Sequence, residues 1–142
     1  MRKNAKWSDG KPVTAKDFVF AWRNVVDPKT ASQYAFIMYT VKNGEAISKG
    51  KMPLNKLGVT AVNDHTLKVE LERPTGYFLG MTSFATFYPA REDIVKKFGD
   101  KYASEYNHAV YNGPFKLTKW VHGASLRMDK NEHYWNLSLI HI

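Results

Sequence analysis

The side chains best suited to holding a metal or moving a proton near neutral pH are the five histidines, and their spacing supports neither task. His65, His108, His122, His133 and His141 never fall three or four residues apart, the interval that sets two imidazoles on one helix face. Each reads as a surface or turn histidine. The chain has no cysteine, which removes thiolate zinc sites, disulfides and cysteine nucleophiles together. Glu70 and Glu72 lie two apart in an alternating run, so they share its solvent face and solvate it rather than forming an acid/base pair. Neither a Gly-rich phosphate loop nor a Gly-x-Ser-x-Gly elbow occurs. The residues thus point away from an enzyme and call for no cofactor or metal.

Aromatic content is the chemistry that remains: eight Tyr, eight Phe and four Trp. They are densest in two clusters, Tyr34, Phe36, Tyr39 and Tyr77, Phe78, Phe84, Phe87, Tyr88. Most of these read as core residues. Tyr is the exception, because its hydroxyl needs a partner when buried and it often lines a site with one wet end.

The elements that must position these groups alternate between helix, strand and turn. After the turn at Asp9-Gly10-Lys11-Pro12, the apolar residues Phe18, Val19, Ala21, Trp22, Val25 and Val26 recur at intervals that mark one helix face. Thr14 with Asp17 three residues on resembles a capping box, and Asp27-Pro28 stops the helix. A second helical stretch is expected over residues 31–41 and a short one over 43–49. Two alternating runs flanking Asn63-Asp64 predict a β-hairpin over residues 57–71. Residues 76–87 read as irregular, and 91–98 as a short amphipathic helix ended by Gly99. Asn112-Gly113-Pro114 leads into a second hairpin over 115–128. Fold class is therefore mixed, α/β or α+β, with small antiparallel elements.

At 142 residues one domain is the default, and the 44% apolar fraction is that of a globular chain. No window is long and apolar enough to span a membrane, and the basic N-terminus lacks the apolar core of a signal peptide. The 21 basic against 13 acidic residues give +8, an invitation to read nucleic-acid binding. The basic residues are scattered without a run of five, so a solvated surface is the better reading.

The segment Asn4-Ala5-Lys6-Trp7-Ser8-Asp9-Gly10-Lys11-Pro12-Val13-Thr14-Ala15-Lys16-Asp17-Phe18-Val19 resembles the signature of the extracytoplasmic oligopeptide-binding proteins, bacterial solute-binding protein family 5. Four further blocks follow in that family's order: Asp27-Pro28-Lys29-Thr30-Ala31-Ser32, Leu57-Gly58-Val59, Tyr111-Asn112-Gly113-Pro114-Phe115-Lys116-Leu117 and Asn131-Glu132-His133-Tyr134-Trp135. The resemblance implies a fragment of a two-lobed, class II periplasmic-binding-protein-like fold that closes on its ligand by a hinge. It implies capture of extended oligopeptides through main-chain hydrogen bonds, outside the cytoplasmic membrane, for an ATP-driven importer. The implied partners are the peptide and the importer's membrane permease subunits, and the implied state is a monomer. Its full-length form would be periplasmic or anchored by lipid. Capture of another solute (a dipeptide, a nickel complex, a sugar) is the alternative within the fold. A basic nucleic-acid-binding domain is the alternative outside it.

By the same resemblance, residues 1–88 supply most of a small extra domain and 89–136 return into the main lobe. Tyr34 sits at a position that faces the peptide cleft. Phe84 falls near another such position, where the family member compared has a polar residue. The clamp for the peptide's amino terminus belongs to a later part of the family sequence. Residues 137–142 have no counterpart and are expected to be a truncation or read-through artefact.

Overall fold

The computed structural model describes residues 1–140. They fall into two compact units, one made of Met1 with residues 14–90, the other of residues 2–13 with the chain from Arg91 onward.

The first unit is built on helix α1 (Ala15–Val26), which buries Ala15, Ala21, Trp22 and Val26. The Asp17 carboxylate accepts from the Thr14 N–H at 2.8 Å, so the carboxylate half of the expected capping box is in place. Asp27 then turns extended before Pro28, ending the helix where the sequence places its end. Against α1 pack the 3-10 turn Ala35–Thr40, helix α2 (Gly44–Ser48) and the hairpin of β1 (Val59–Asn63) and β2 (Thr66–Val69). The strands are antiparallel in the register Val59↔Val69 and Ala61↔Leu67. Helix α3 (Phe78–Met81) and the 3-10 turn Ala85–Phe87 complete the unit.

Of the helical stretch expected over residues 31–41, residues 35–40 wind as a helix, and as 3-10 rather than α. The bonds run i to i+3, from the Ile37 N–H to the Tyr34 carbonyl and from the Val41 N–H to the Met38 carbonyl. Buried Ala35 and Met38 are three apart and eclipse one another in 3-10 geometry, so the tighter winding buries both. Five bulky residues in a row, from Phe36 to Thr40, also make a poor α-helix.

The core of this unit joins Trp22, Val26, Met38, Val41, Ile47, Leu57, Val59 and Phe87. Gly44 enters it so closely that an added Cβ would overlap the Met38 carbonyl oxygen, which is backbone and cannot step aside. Gly44→Ala is therefore expected to destabilise by about 2 kcal/mol, an overpacking cost. A lower urea midpoint at unchanged slope would show it. Gly80→Ala, at a helical glycine with open space around it, should cost nothing.

The second unit contains helix α4 (Glu92–Phe98) and a separate antiparallel hairpin, β3 (Phe115–Val121) with β4 (Ser125–Lys130). Pairing Leu117↔Met128 and Trp120↔Leu126, with a bulge between Leu117 and Lys119, gathers apolar side chains on one face. Phe115, Leu126 and Met128 of that face are exposed. Few large apolar side chains are buried in this unit, and polar ties hold it instead. Buried Asn131 donates from Nδ2 to the Gly113 carbonyl at 2.8 Å, and its own N–H donates to the Pro114 carbonyl at 2.8 Å. The Ser8 N–H donates to the Tyr111 carbonyl at 2.6 Å, and the Tyr111 N–H returns to the Ser8 hydroxyl at 3.1 Å. Arg2 lies over the Trp135 ring, 3.5 Å from its centroid. Leu137–Ile140 forms one 3-10 turn, and the last two residues of the expected artefact tail, His141 and Ile142, lie outside the described residues.

Candidate functional site

Tyr34 is positioned by the turn that follows α1. The Thr30 N–H donates to the Asp27 carbonyl, Ala31 takes a left-handed φ of 50°, and the Ala35 N–H closes onto the Ser32 carbonyl. Ala35 and Met38 then sink into the core and leave Tyr34 outside, 56% exposed, its ring 6.3 Å from that of Phe36.

Phe84 is positioned from the other end of the unit. Buried Phe87 stands edge-on to Trp22 at 5.2 Å and to Phe78 at 5.8 Å, and the Trp22 indole N–H donates to the Phe87 carbonyl at 2.9 Å. The Phe87 N–H in turn donates to the Phe84 carbonyl at 2.9 Å, which holds Phe84 at the start of the turn, 54% exposed. The turns that begin after Tyr34 and after Phe84 pack on one another. Both residues named from the sequence are thus presented outward from adjoining turns with buried anchors.

The reading of the two aromatic clusters as mostly core is corrected by the structure. Phe78 and Phe87 point inward, whereas Phe36, Tyr77 and Tyr88 are exposed, as are Tyr34 and Phe84. The physical reason is the turn geometry: segments of 3-10 and single-turn helix bury about one residue in three, so dense aromatics cannot all face inward. A signal for part of the exposed set was present in the sequence. Residues 76–87 are dense in aromatics and read as irregular, whereas 31–41 read as a helix and gave no such signal.

Several titratable groups are engaged in structural contacts. Glu70 is held below the usual carboxylate range by Lys68 first, at 2.7 Å, and then by Lys42 at 3.3 Å. Glu72 accepts from the Asn43 N–H at 2.9 Å. The His108 Nδ1 lies 3.0 Å from the Lys101 carbonyl with its ring stacked on Phe98 at 4.3 Å, and the His122 Nε2 lies 3.0 Å from Glu105. Among the described residues no group of three or more His, Asp or Glu could hold a metal ion. An open cavity of about 600 Å³ beside the second hairpin is lined by Tyr106, Thr118, Trp120, Arg127 and Asp129. The Asp129 carboxylate there already accepts from the Thr118 hydroxyl at 2.8 Å and from Arg127 Nε at 2.9 Å. What the surface offers chemically is contact and stacking from the first unit's aromatic turns.

Residues 1–141 match the family model of bacterial extracellular solute-binding proteins, family 5 Middle. The chain is similar to the oligopeptide-binding protein OppA of Bacillus subtilis, 46% identical over 136 residues, which cover 96% of this chain and 25% of that protein. Among solved structures it is similar to the substrate-binding domain of an oligopeptide ABC transporter from Bacillus anthracis, with a TM-score of 0.95 and 53% identity over 97% of this chain and 27% of that one. It is similar also to Listeria monocytogenes OppA bound to peptide, with a TM-score of 0.93 and 42% identity over the same shares, 97% and 27%. The chain therefore spans about a quarter of the length of the relatives it matches. With the family model matched from end to end of the described residues, and with the fold shared at high identity, this chain belongs to the bacterial extracellular solute-binding proteins of family 5.

Proposed function

We propose that this chain contributes one wall of a peptide-capturing cleft in the solute-binding component of an ATP-driven importer. The observation that carries the reading is its likeness, at 42% identity and a TM-score of 0.93, to Listeria monocytogenes OppA bound to peptide. The role is binding without catalysis. The ligand is an extended oligopeptide held chiefly by its backbone, a mode that tolerates many sequences because the backbone is common to all. Residues 1–88 with their aromatic turns act as most of the small extra domain, and residues 89–136 as a return segment into the main lobe. Tyr34 and Phe84 meet the ligand. The full-length protein works outside the cytoplasmic membrane, periplasmic or lipid-anchored, as a monomer that delivers peptide to the permease subunits.

The test is calorimetry of a full-length protein carrying this chain against three- to six-residue peptides. Tyr34→Ala is expected to weaken binding about tenfold, or 1.4 kcal/mol, while the melting temperature stays within a degree or two. Phe84→Ala should behave alike. Absence of binding heat across the peptide panel would refute the function, and loss of folding in Tyr34→Ala would make Tyr34 a packing residue.

A further inference from the structure

We propose that Asn112 is a site of spontaneous covalent modification, where the side-chain amide is lost as ammonia and the residue becomes aspartate or isoaspartate. The inference does not depend on the peptide-binding reading.

The chain contains two Asn-Gly steps, Asn43-Gly44 and Asn112-Gly113. At such a step the main-chain nitrogen of the glycine can reach the asparagine Cγ, since no Cβ crowds its approach. That nitrogen gives up its proton to water and bonds to Cγ, while the Cγ–Nδ2 bond breaks and ammonia departs. Water then opens the five-membered imide at either carbonyl, and no oxidation or reduction takes place. Opening on one side leaves aspartate. Opening on the other leaves isoaspartate, whose main chain runs through the former side chain and is one methylene longer.

The two steps are alike in sequence, and the fold separates them. At the first, both reacting groups are tied down. Asn43 Nδ2 donates to the Lys56 carbonyl at 2.7 Å, and the Gly44 N–H donates to the Val41 carbonyl at 2.9 Å. Gly44 is also buried, close against the Met38 carbonyl. Attack there must wait for a local opening, which slows it by the fraction of time spent open. At the second step these restraints are missing. Among the described residues neither the Asn112 side chain nor the Gly113 N–H makes a hydrogen bond, and a Cβ added at Gly113 would meet nothing within 4 Å. Asn112 is half-buried, so water reaches it. Its neighbours, by contrast, are anchored through groups that the reaction does not use. Tyr111 exchanges two hydrogen bonds with Ser8, at 2.6 and 3.1 Å, and the Gly113 carbonyl accepts from Asn131 Nδ2 at 2.8 Å. The extra methylene of isoaspartate falls between these two anchors and loads both.

The experiment ages a full-length protein carrying this chain in warm, mildly alkaline buffer and follows it by tryptic digestion and mass spectrometry. Cleavage after Lys42, Lys49, Lys101 and Lys116 places the two steps in separate peptides, 43–49 and 102–116. Peptide 102–116 should gain about one mass unit at least tenfold faster than 43–49, the gap set by how seldom the Asn43 site opens. Fragmentation should place the gain on Asn112 and not on Asn107, whose following N–H is bonded to the Glu105 carbonyl at 3.0 Å. In urea the two peptides should convert at rates within about threefold, because only the dipeptide then matters. Asn112→Gln should remove the gain from 102–116, since its longer side chain closes to a six-membered ring far more slowly. Equal rates in the folded protein, a faster Asn43, or a gain that falls on Asn107 or persists in Asn112→Gln would overturn the inference. A tenfold gap that survives in urea would overturn it too, because the difference would then come from sequence neighbours and not from the fold.

Discussion

Trp22→Ala should cost about 3–5 kcal/mol, the range for emptying a large aromatic from a core, and lower the melting temperature by about 10 °C or more. Trp22 is 3% exposed and takes part in two edge-on ring contacts, with Phe87 at 5.2 Å and Phe78 at 6.5 Å. Its indole N–H also satisfies the Phe87 carbonyl, which would otherwise be an unpaired acceptor in the core. Trp22→Phe separates the two effects. It keeps a ring and loses the hydrogen bond, so about 1–2 kcal/mol is expected. Because Phe87 fixes the turn that begins after Phe84, Trp22→Ala should abolish peptide binding as well, in contrast to Tyr34→Ala, which weakens binding in a folded protein. Thermal denaturation with calorimetry on the same samples checks both. A shift below 3 °C for Trp22→Ala would show that the aromatic cluster is not the support described.

Arg91→Met should destabilise the second unit by about 2–4 kcal/mol. The guanidinium, its side chain 8% exposed, forks between two carboxylates. Its Nη1 reaches Asp9 Oδ2 at 3.0 Å and Oδ1 at 3.3 Å, while Nε and Nη2 reach Asp93 at 2.8 and 2.6 Å. Removing it leaves Asp9 and Asp93 close together without the cation between them. Both keep contact with water, which places the cost below that of a fully buried pair. Arg91→Lys should recover part of the loss, since a point charge cannot reproduce the planar fork. The hydrogen bond from Arg91 holds the Asp93 carboxyl down at about 2, against an ordinary value of 3.8. A depressed carboxylate stabilises the folded state above its unfolded value and loses that contribution as pH falls through its folded one. Stability of the native chain should therefore decline between about pH 4 and pH 2. Urea midpoints at pH 7, 4 and 2.5 would show it, with a flatter acid limb in Arg91→Met. An equal acid slope in both proteins would assign the decline to other groups.

Local elements were legible wherever the signal lies within a few residues. Helix α1 runs between Thr14 and Asp27-Pro28, because a cap and a residue before proline act on their immediate neighbours. The hairpin around Asn63-Asp64 and the strand after Pro114 follow from alternation and turn chemistry in the same way. The five sequence blocks carried the family, which the comparisons support over residues 1–141. Tyr34 and Phe84 were singled out by resemblance, and no periodicity in their own neighbourhoods separates them from Phe78 and Phe87, which face the core.

What the tertiary structure alone decided involves partners far apart in the chain. Arg91 and Asp9 are 82 residues apart, and Trp22 meets the Phe87 carbonyl across 65. No periodicity encodes such a meeting. It follows from which surfaces remain to be buried once the local elements exist. The 3-10 winding of residues 35–40 was settled likewise, by the demand that Ala35 and Met38 enter one core together. The same demand left the other aromatics of those turns outside. Sequence alone determined which aromatics are present and where the chain turns; packing decided which of them face water, because a turn can bury only one side.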